Sequence, residues 1–275
     1  MNLSNKLILL ILFVSVGFLL NSCGSPSAEN EARPVYVWSH NDYWQVRPLY
    51  DALERGFQMI EADIHLIDGE LYVAHDPPDP DETPILTDLY LEPLSRWIEQ
   101  NDGIVLPESE LPFYLAIDVK TEAESTFEVL LDQLEPYRHL FTRKENGEWI
   151  EGPVKILMTG NRPALEDDCS DRMVFIDGRI PDLGEGKSEE LYPVISDHWG
   201  SYFTWDGRGE IPEDELRQLE SFVEQAHEED KIIRFWATPD REAIWQVLYN
   251  AGVDIINVDD LEKLSRFLKE NDIPL

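Results

Sequence analysis

Cysteine is almost missing from this chain: two in 275 residues, Cys23 and Cys169. Once Cys23 is set aside as described below, no internal pair remains, so the fold cannot be stapled by a disulfide and its core must suffice alone. Basic side chains are also scarce, 22 Lys and Arg against 56 Asp and Glu, for a formal charge of −34. That balance leaves no basic track for a polyphosphate and excludes nucleic acid as a partner. Adaptation to salty surroundings accounts for the acidic excess equally well. No GxSxG elbow occurs, and GEGKSE has Pro181 where a Walker A loop needs glycine. Internal repeats, low-complexity tracts and a second domain are absent as well. What is present is a hydrophobic fraction of 43%, enough for one globular core, which we expect to act as a monomer.

One long apolar run stands apart, Leu7 to Leu20, preceded by a weakly basic start and followed by Leu20-Asn21-Ser22-Cys23. It has the pattern of a secretory signal and is too short to span a membrane comfortably. Its ending resembles the bacterial lipobox, which implies cleavage after residue 22 and lipidation of Cys23. The resemblance implies a lipoprotein of the bacterial cell envelope, facing periplasm or exterior, with the membrane as partner through its N-terminal anchor. The alternative is an uncleaved anchor helix. Residues 23–33, Cys23 followed by GSPSAENEAR, lack apolar periodicity and read as a flexible tether. The single folded domain is expected over 34–275.

Within that domain apolar strand-like segments recur at 35–40, 59–66 with 70–76, 113–120, 154–161, 173–179, 193–199, 231–237 and 253–260. Amphipathic helical patterns fall at 47–56, 89–101, 123–137, 212–230, 240–252 and 261–271. Gly56 and Gly252 follow helices, while Pro212 and Pro239 mark helix starts. Eight strands alternating with helices over one domain predict an α/β TIM (β/α)8 barrel, with an open doubly wound sheet as the rival. Residues 162–192 show little helical period, so the crossovers there are expected to be short or irregular.

The densest chemistry lies in EADIHLIDGELYVAHD, Glu61 to Asp76. Alternate strand residues share a face, so Glu61 and Asp63 point one way, as do Asp118 and Lys120 in FYLAIDVK. In a parallel barrel they project inward near the strands' C-terminal ends, where active sites of this fold lie. Three converging carboxylates repel one another unless a cation joins them, and hard oxygen ligands select Mg2+, or alternatively Ca2+. His40 and His75 each end a strand and give way to polar residues, which suits a general acid/base pair beside that ion. Of the other histidines, His65 reads as solvated strand surface and His198 as a weaker strand-end candidate. His139 and His227 read as inert helical surface.

VWSHNDYW, IEADIHLIDGELYVAHD, LAIDVK and RFWATPD with GVDIINVDD together resemble the glycerophosphodiester phosphodiesterase and phosphatidylinositol phospholipase C-like superfamily, in order, over most of the domain. The SHNDYW and RFWATPD wording is closest to the branch called altered inheritance of mitochondria protein six. The Glu, Asp, Asp set also resembles spider-venom sphingomyelinase D. The resemblance implies a barrel with one divalent ion held by Glu61, Asp63 and Asp118, Lys120 on a phosphate oxygen, and His40 and His75 as acid and base. It further implies that Trp236 and Asp259 line the substrate site, although a core aromatic and a cap of the last helix fit those two residues as well. Two departures stand out: Asn41-Asp42 replaces the Arg-Gly that follows the first histidine in glycerophosphodiesterases, and Asp118 replaces a Glu ligand. The missing arginine removes a bidentate phosphate contact, so Arg234 or Lys120 is expected to supply the charge, and Asn41 joins the substrate-binding set.

These readings converge on a metal-dependent hydrolase of a small or lipid-derived phosphodiester, with His40 as base and His75 as acid. Two alternatives remain open: a catalytically silent headgroup-binding barrel, suggested by Asn41-Asp42, and an enzyme giving a cyclic phosphate by intramolecular attack.

Overall fold

The structure is a computed structural model that describes residues 32–166 and 169–275. The strands run β1 (Tyr36–Ser39), β2 (Met59–Ile67), β3 (Glu70–Val73), β4 (Tyr114–Val119), β5 (Arg143–Glu145), β6 (Glu148–Ile150), β7 (Lys155–Gly160), β8 (Val174–Gly178), β9 (Val194–His198), β10 (Ile232–Trp236) and β11 (Ile255–Val258). Eight of them pair in parallel in the order β1, β11, β10, β9, β8, β7, β4, β2, and pairing of β1 with β2 closes the barrel. The open-sheet rival is thereby excluded. β3 folds back antiparallel on β2, with His65 opposite Tyr72, and carries the chain to His75.

Alternation along each strand sorts its side chains. On β2, Ile60, Ala62 and Ile64 pack outward into the layer shared with the helices, while Met59 joins the apolar barrel interior. Glu61 and Asp63, two and four residues on, therefore stand above Met59 inside the barrel. β4 repeats the pattern, with Tyr114 and Ala116 in the interior cluster, Leu115, Ile117 and Val119 outside, and Asp118 at the top. The floor is closed by Trp38, Met59, Tyr114, Leu157 and Phe175, each burial contributing about 1.5–3 kcal/mol. Apolar packing holds the lower barrel, which leaves the upper layer free to be polar.

The connections are uneven. Helices α1 (Tyr50–Leu53), α2 (Glu92–Gln100), α3 (Ala123–Leu134), α4 (Trp199–Tyr202), α5 (Glu213–Glu228), α6 (Glu242–Asn250) and α7 (Leu261–Glu270) cover part of the outside. α7 buries Leu261, Leu264, Phe267 and Leu268 on one stripe and is capped by the Asp260 carboxylate, which accepts from the Lys263 N–H. The helix expected over 47–56 shrinks to a single turn because Pro48 and the positive φ of Leu49, +68°, block its start. That over 123–137 gives way at Pro136 to a 3₁₀ turn, Glu135–Leu140. Between β7 and β8 the described residues form neither helix nor strand, and between β8 and β9 only Ile180–Asp182 makes a 3₁₀ turn. The hairpin of β5 and β6, turning at Asn146-Gly147, lies where no strand was expected.

Candidate active site

At the C-terminal end of the barrel the ends of seven strands surround a cavity of about 350 Å³ lined by His40, Glu61, His75, Asp118, Lys120 and Trp236, with Thr159, Gly160, Asn161, Arg179 and Arg234. A larger hollow of about 630 Å³ opens between α1, the 105–109 loop and the C-terminal residues, but it gathers no comparable set of acid, base and cation. Convergent polar groups, not volume, mark the site.

Carboxylate oxygens of Glu61, Asp63 and Asp118 lie within 4.8 Å of one another. Glu61 accepts from the buried Trp38 indole N–H at 2.7 Å and lies 3.7 Å from Arg234. Asp63 Oδ2 accepts from Tyr43 Oη at 2.9 Å and from Lys120 Nζ at 2.8 Å, while its Oδ1 is buried with no partner among the described residues. Lys120 Nζ also reaches Asp118 Oδ2 at 3.0 Å. Burial first, then the Glu61 and Asp118 charges, push the Asp63 carboxyl up to about 7 against the pull of Lys120. Burial and Glu61 likewise raise Asp118. Burial lowers Lys120, but Asp118 and Asp63 more than offset this and hold it above its ordinary value. A crowded all-oxygen set with an orphaned buried acceptor fits a hard divalent cation.

His40 follows β1 with its backbone N–H bonded to Val258, and its Nδ1 lies 2.7 Å from Asp259 Oδ1. Its Nε2 is 4.0 Å from Glu61. Burial by itself would lower this imidazole, yet the Asp259 hydrogen bond and the Glu61 charge raise it above its ordinary value. Asp259 is itself held by Gln45, whose amide donates to its carbonyl at 3.0 Å. Asp259 does not cap the last helix; its neighbour Asp260 does. Asn41, at φ +47°, is buried and sets its amide against the His40 ring and the Tyr43 hydroxyl. His75 sits on the rim, half exposed, 3.3 Å from Asp76 Oδ1 and with its ring 5.8 Å from Trp44. Trp236 lines the cavity with its ring edge against His198, 4.5 Å between centroids. Arg234 is buried over the Trp38 ring at 3.5 Å and donates through Nε and Nη2 to Asn257 Oδ1. Burial lowers its guanidinium, and Glu61 opposes the shift.

His65 departs from expectation: it is buried, not solvated, with Nε2 3.3 Å from the His75 carbonyl oxygen, because β3 and the 75–76 turn cover it. His227 pairs with Asp254 at 2.9 Å, and His139 is exposed. The sequence reading missed Tyr43, Asn257, Thr159, Asp177 and Arg179. The alternation that picked out Glu61 and Asp63 applies equally to MVFIDGR, where it sets Asp177 and Arg179 on one face.

Residues 27–177 match the AIM6-like phosphodiesterase domain. The altered inheritance of mitochondria protein 6 homolog of Arthroderma benhamiae is 29% identical over 258 residues, covering 83% of this chain and 82% of that protein. Altered inheritance of mitochondria protein 6 of Eremothecium gossypii is 30% identical over 267 residues, covering 84% and 69%. In fold, the chain is similar to a glycerophosphodiester phosphodiesterase from Parabacteroides distasonis, with a TM-score of 0.55 at 15% identity over 86% of this chain and 98% of that one. The curated relatives are fungal, which overturns the bacterial cell-envelope setting and the anchored-lipoprotein reading that depended on it. Leu7–Leu20 and Cys23 lie outside the described residues, and among the described residues no helix is long and apolar enough to cross a membrane. With a domain match over more than half of its 275 residues and full-domain relatives at this level of identity, the chain belongs to the AIM6-like phosphodiesterase family.

Proposed function

We propose that the chain is a metal-dependent phosphoric diester hydrolase acting on a small or lipid-derived phosphodiester. The observation that carries this reading is the meeting of Glu61, Asp63 and Asp118 within 4.8 Å, with Glu61 and Asp118 lining a cavity that His40 and His75 also line. Those three carboxylates would hold one divalent cation, Mg2+ first and Ca2+ second, which supplies Lewis-acid polarisation of a phosphoryl oxygen when bound. The charge balance favours a diester. With Arg179 balanced by Asp177, three carboxylates against Lys120 and Arg234 leave one negative charge; a divalent ion turns that into one positive, the complement of a diester monoanion.

The chain's own residues then divide the proton work. Donation of His40 Nδ1–H to Asp259 fixes the tautomer and leaves Nε2 as the basic nitrogen, able to take a proton from water or from a neighbouring substrate hydroxyl. His75, on the rim beside Asp76, gives a proton to the departing oxygen. Lys120, shared by Asp63 and Asp118, holds their negative charge in register and offers its remaining hydrogen to a phosphate oxygen. Trp236 walls the cavity on the β10 side.

A panel of diesters incubated with the protein and Mg2+, followed by phosphorus NMR, tests the reading. Release of a phosphomonoester supports hydrolysis, and a cyclic phosphate redirects it to intramolecular attack. Retention of diesters without any product defeats the enzyme reading in favour of a binding barrel.

A further inference from the structure

The cations expected to hold the substrate phosphate are largely committed elsewhere. Lys120 gives two of its three hydrogens to Asp63 and Asp118 and keeps a single one for a phosphate oxygen. Arg234 turns its Nε–Nη2 edge to Asn257 and is only 3% exposed. Arg179, which follows β8 and lines the same cavity, is arranged differently. Its Nη1 donates to Asp177 Oδ2 at 3.0 Å, to the Asp177 carbonyl at 3.1 Å and to the Gly178 carbonyl at 2.8 Å. Its Nη2 donates to Thr159 Oγ1 at 3.2 Å, and that hydroxyl in turn donates to Asp177 Oδ2 at 2.9 Å.

All four contacts fall at the Nη1 side and the Nη1–Nη2 end of the guanidinium. A guanidinium carries five N–H groups in a planar fork. Among the described residues nothing accepts from Nε–H, and Thr159 takes one of the two Nη2 hydrogens; because Thr159 Oγ1 lies 2.9 Å from the Asp177 oxygen that Nη1 bonds, that hydrogen is the one at the Nη1–Nη2 end, which leaves Nε–H and the Nη2–H beside it as the edge that matches a pair of phosphate oxygens. The group is also held rigidly, since Asp177 is fully buried and the Arg179 side chain is only 26% exposed. Little rotamer freedom remains to be lost on binding.

We propose that the open Nε–Nη2 edge of Arg179 is the bidentate phosphoryl contact of this cavity, taking the place of the arginine that Asn41-Asp42 lacks. The proposal rests on the phosphodiesterase reading for the identity of the ligand, but its chemistry is oxyanion binding and is measured without turnover.

The probe is inorganic phosphate, titrated calorimetrically into the full chain in Mg2+ buffer. Arg179→Lys keeps a cation beside Asp177 and loses the fork. The pair Asp177→Asn with Arg179→Gln removes both charges, so that no buried carboxylate is stranded, and serves if the lysine variant folds poorly. Each is expected to weaken phosphate binding about 10- to 100-fold, the loss of a charge-assisted bidentate contact. Arg162→Gln changes a neighbouring charge outside the cavity lining and should leave the affinity close to the parent's. Phosphate affinity unchanged in a folded Arg179 variant overturns the proposal, as does a parent that fails to bind millimolar phosphate, or an Arg162→Gln loss equal to that of Arg179→Lys. The two readings fail separately. A parent that binds phosphate through Arg179 but turns over no diester defeats the hydrolase alone, whereas intact turnover with unchanged phosphate affinity in Arg179→Lys defeats this inference alone.

Discussion

Gly160 ends β7 with φ +68°, directly opposite Val119 in the β4–β7 ladder, and no side chain fits there. A Cβ would stand 2.1 Å from Asp118 Oδ1, 2.6 Å from the Val119 carbonyl oxygen and 2.9 Å from the Val119 nitrogen. Two of the three obstacles are backbone atoms of β4, so no rotamer change relieves them, and Asp118 must move. For Gly160→Ala the left-handed backbone costs about 1–2 kcal/mol and the overpacking about 1–3 kcal/mol, about 2–5 kcal/mol together. If Asp118 holds the proposed ion, displacing it costs a further 10- to 100-fold in metal affinity, on the order of a lost supporting contact. Gly184→Ala is the internal control: its φ is +80° with nothing within 4 Å of the added carbon, so it carries the backbone cost alone. Urea unfolding of both variants, with Mg2+ titration by calorimetry, separates the two effects. Equal destabilisation of the two, or parent-like Mg2+ affinity in Gly160→Ala, would refute the argument that this glycine makes room for the metal-facing carboxylate.

Three further outcomes follow from the site. His40→Ala and His75→Ala should each lower kcat on bis(p-nitrophenyl) phosphate by about 10² to 10⁴ without lowering the melting temperature; near-normal turnover in either removes that residue from the proton transfers. Asp259→Asn should lower kcat about 10- to 100-fold with little change in KM, because the imidazole loses its orienting charge but the pocket keeps its shape; a loss confined to KM would make Asp259 a substrate contact instead. Asp42 is buried beneath the His40 turn, accepting from Leu49 N–H, Ser39 Oγ and Tyr90 Oη, and burial outweighs these donors to raise its carboxyl from 3.8 to about 6. A raised carboxyl favours the folded state fully below about pH 4, and that contribution is lost as pH climbs through about 6, about 3 kcal/mol in all. Asp42→Asn should therefore gain stability relative to the parent between pH 4 and pH 7, measured by urea melts, and a difference independent of pH contradicts the assignment.

The barrel was legible because its strands are short, apolar and regularly spaced, and period-two alternation alone set Glu61 above Met59 and Asp118 above Ala116 on inward faces. The pairing of β2 with β4 that brings the Glu61–Asp63 pair to Asp118 is a long-range event, with Asp63 beside Asp118 in register, and follows only once a barrel is assumed. Partner choices were not legible. Nothing local in NVDD distinguishes Asp259, which reaches across to His40, from Asp260, which caps α7. His65 looked solvated because strand alternation places a side chain on a face but does not say that β3 and the following turn will cover it. Arg179 stands out less because MVFIDGR carries one charge pair instead of a dense acidic run, although the alternation that marks the acids also sets Arg179 beside Asp177. The bacterial-envelope expectation rests on the N-terminal lipobox resemblance and not on the fold, and the fungal relatives overturn it.

Metal titration joined to turnover tests the central claim most directly. The protein is stripped with chelator, the diester is supplied, and Mg2+ or Ca2+ is returned while heat of binding and product are both followed. The account predicts no product from the stripped protein, one ion bound per chain, and activity that rises in step with occupancy, with both ion and activity lost in Asp63→Asn. Undiminished turnover in chelator, or saturation by an ion that Asp63→Asn binds as tightly as the parent, would contradict it.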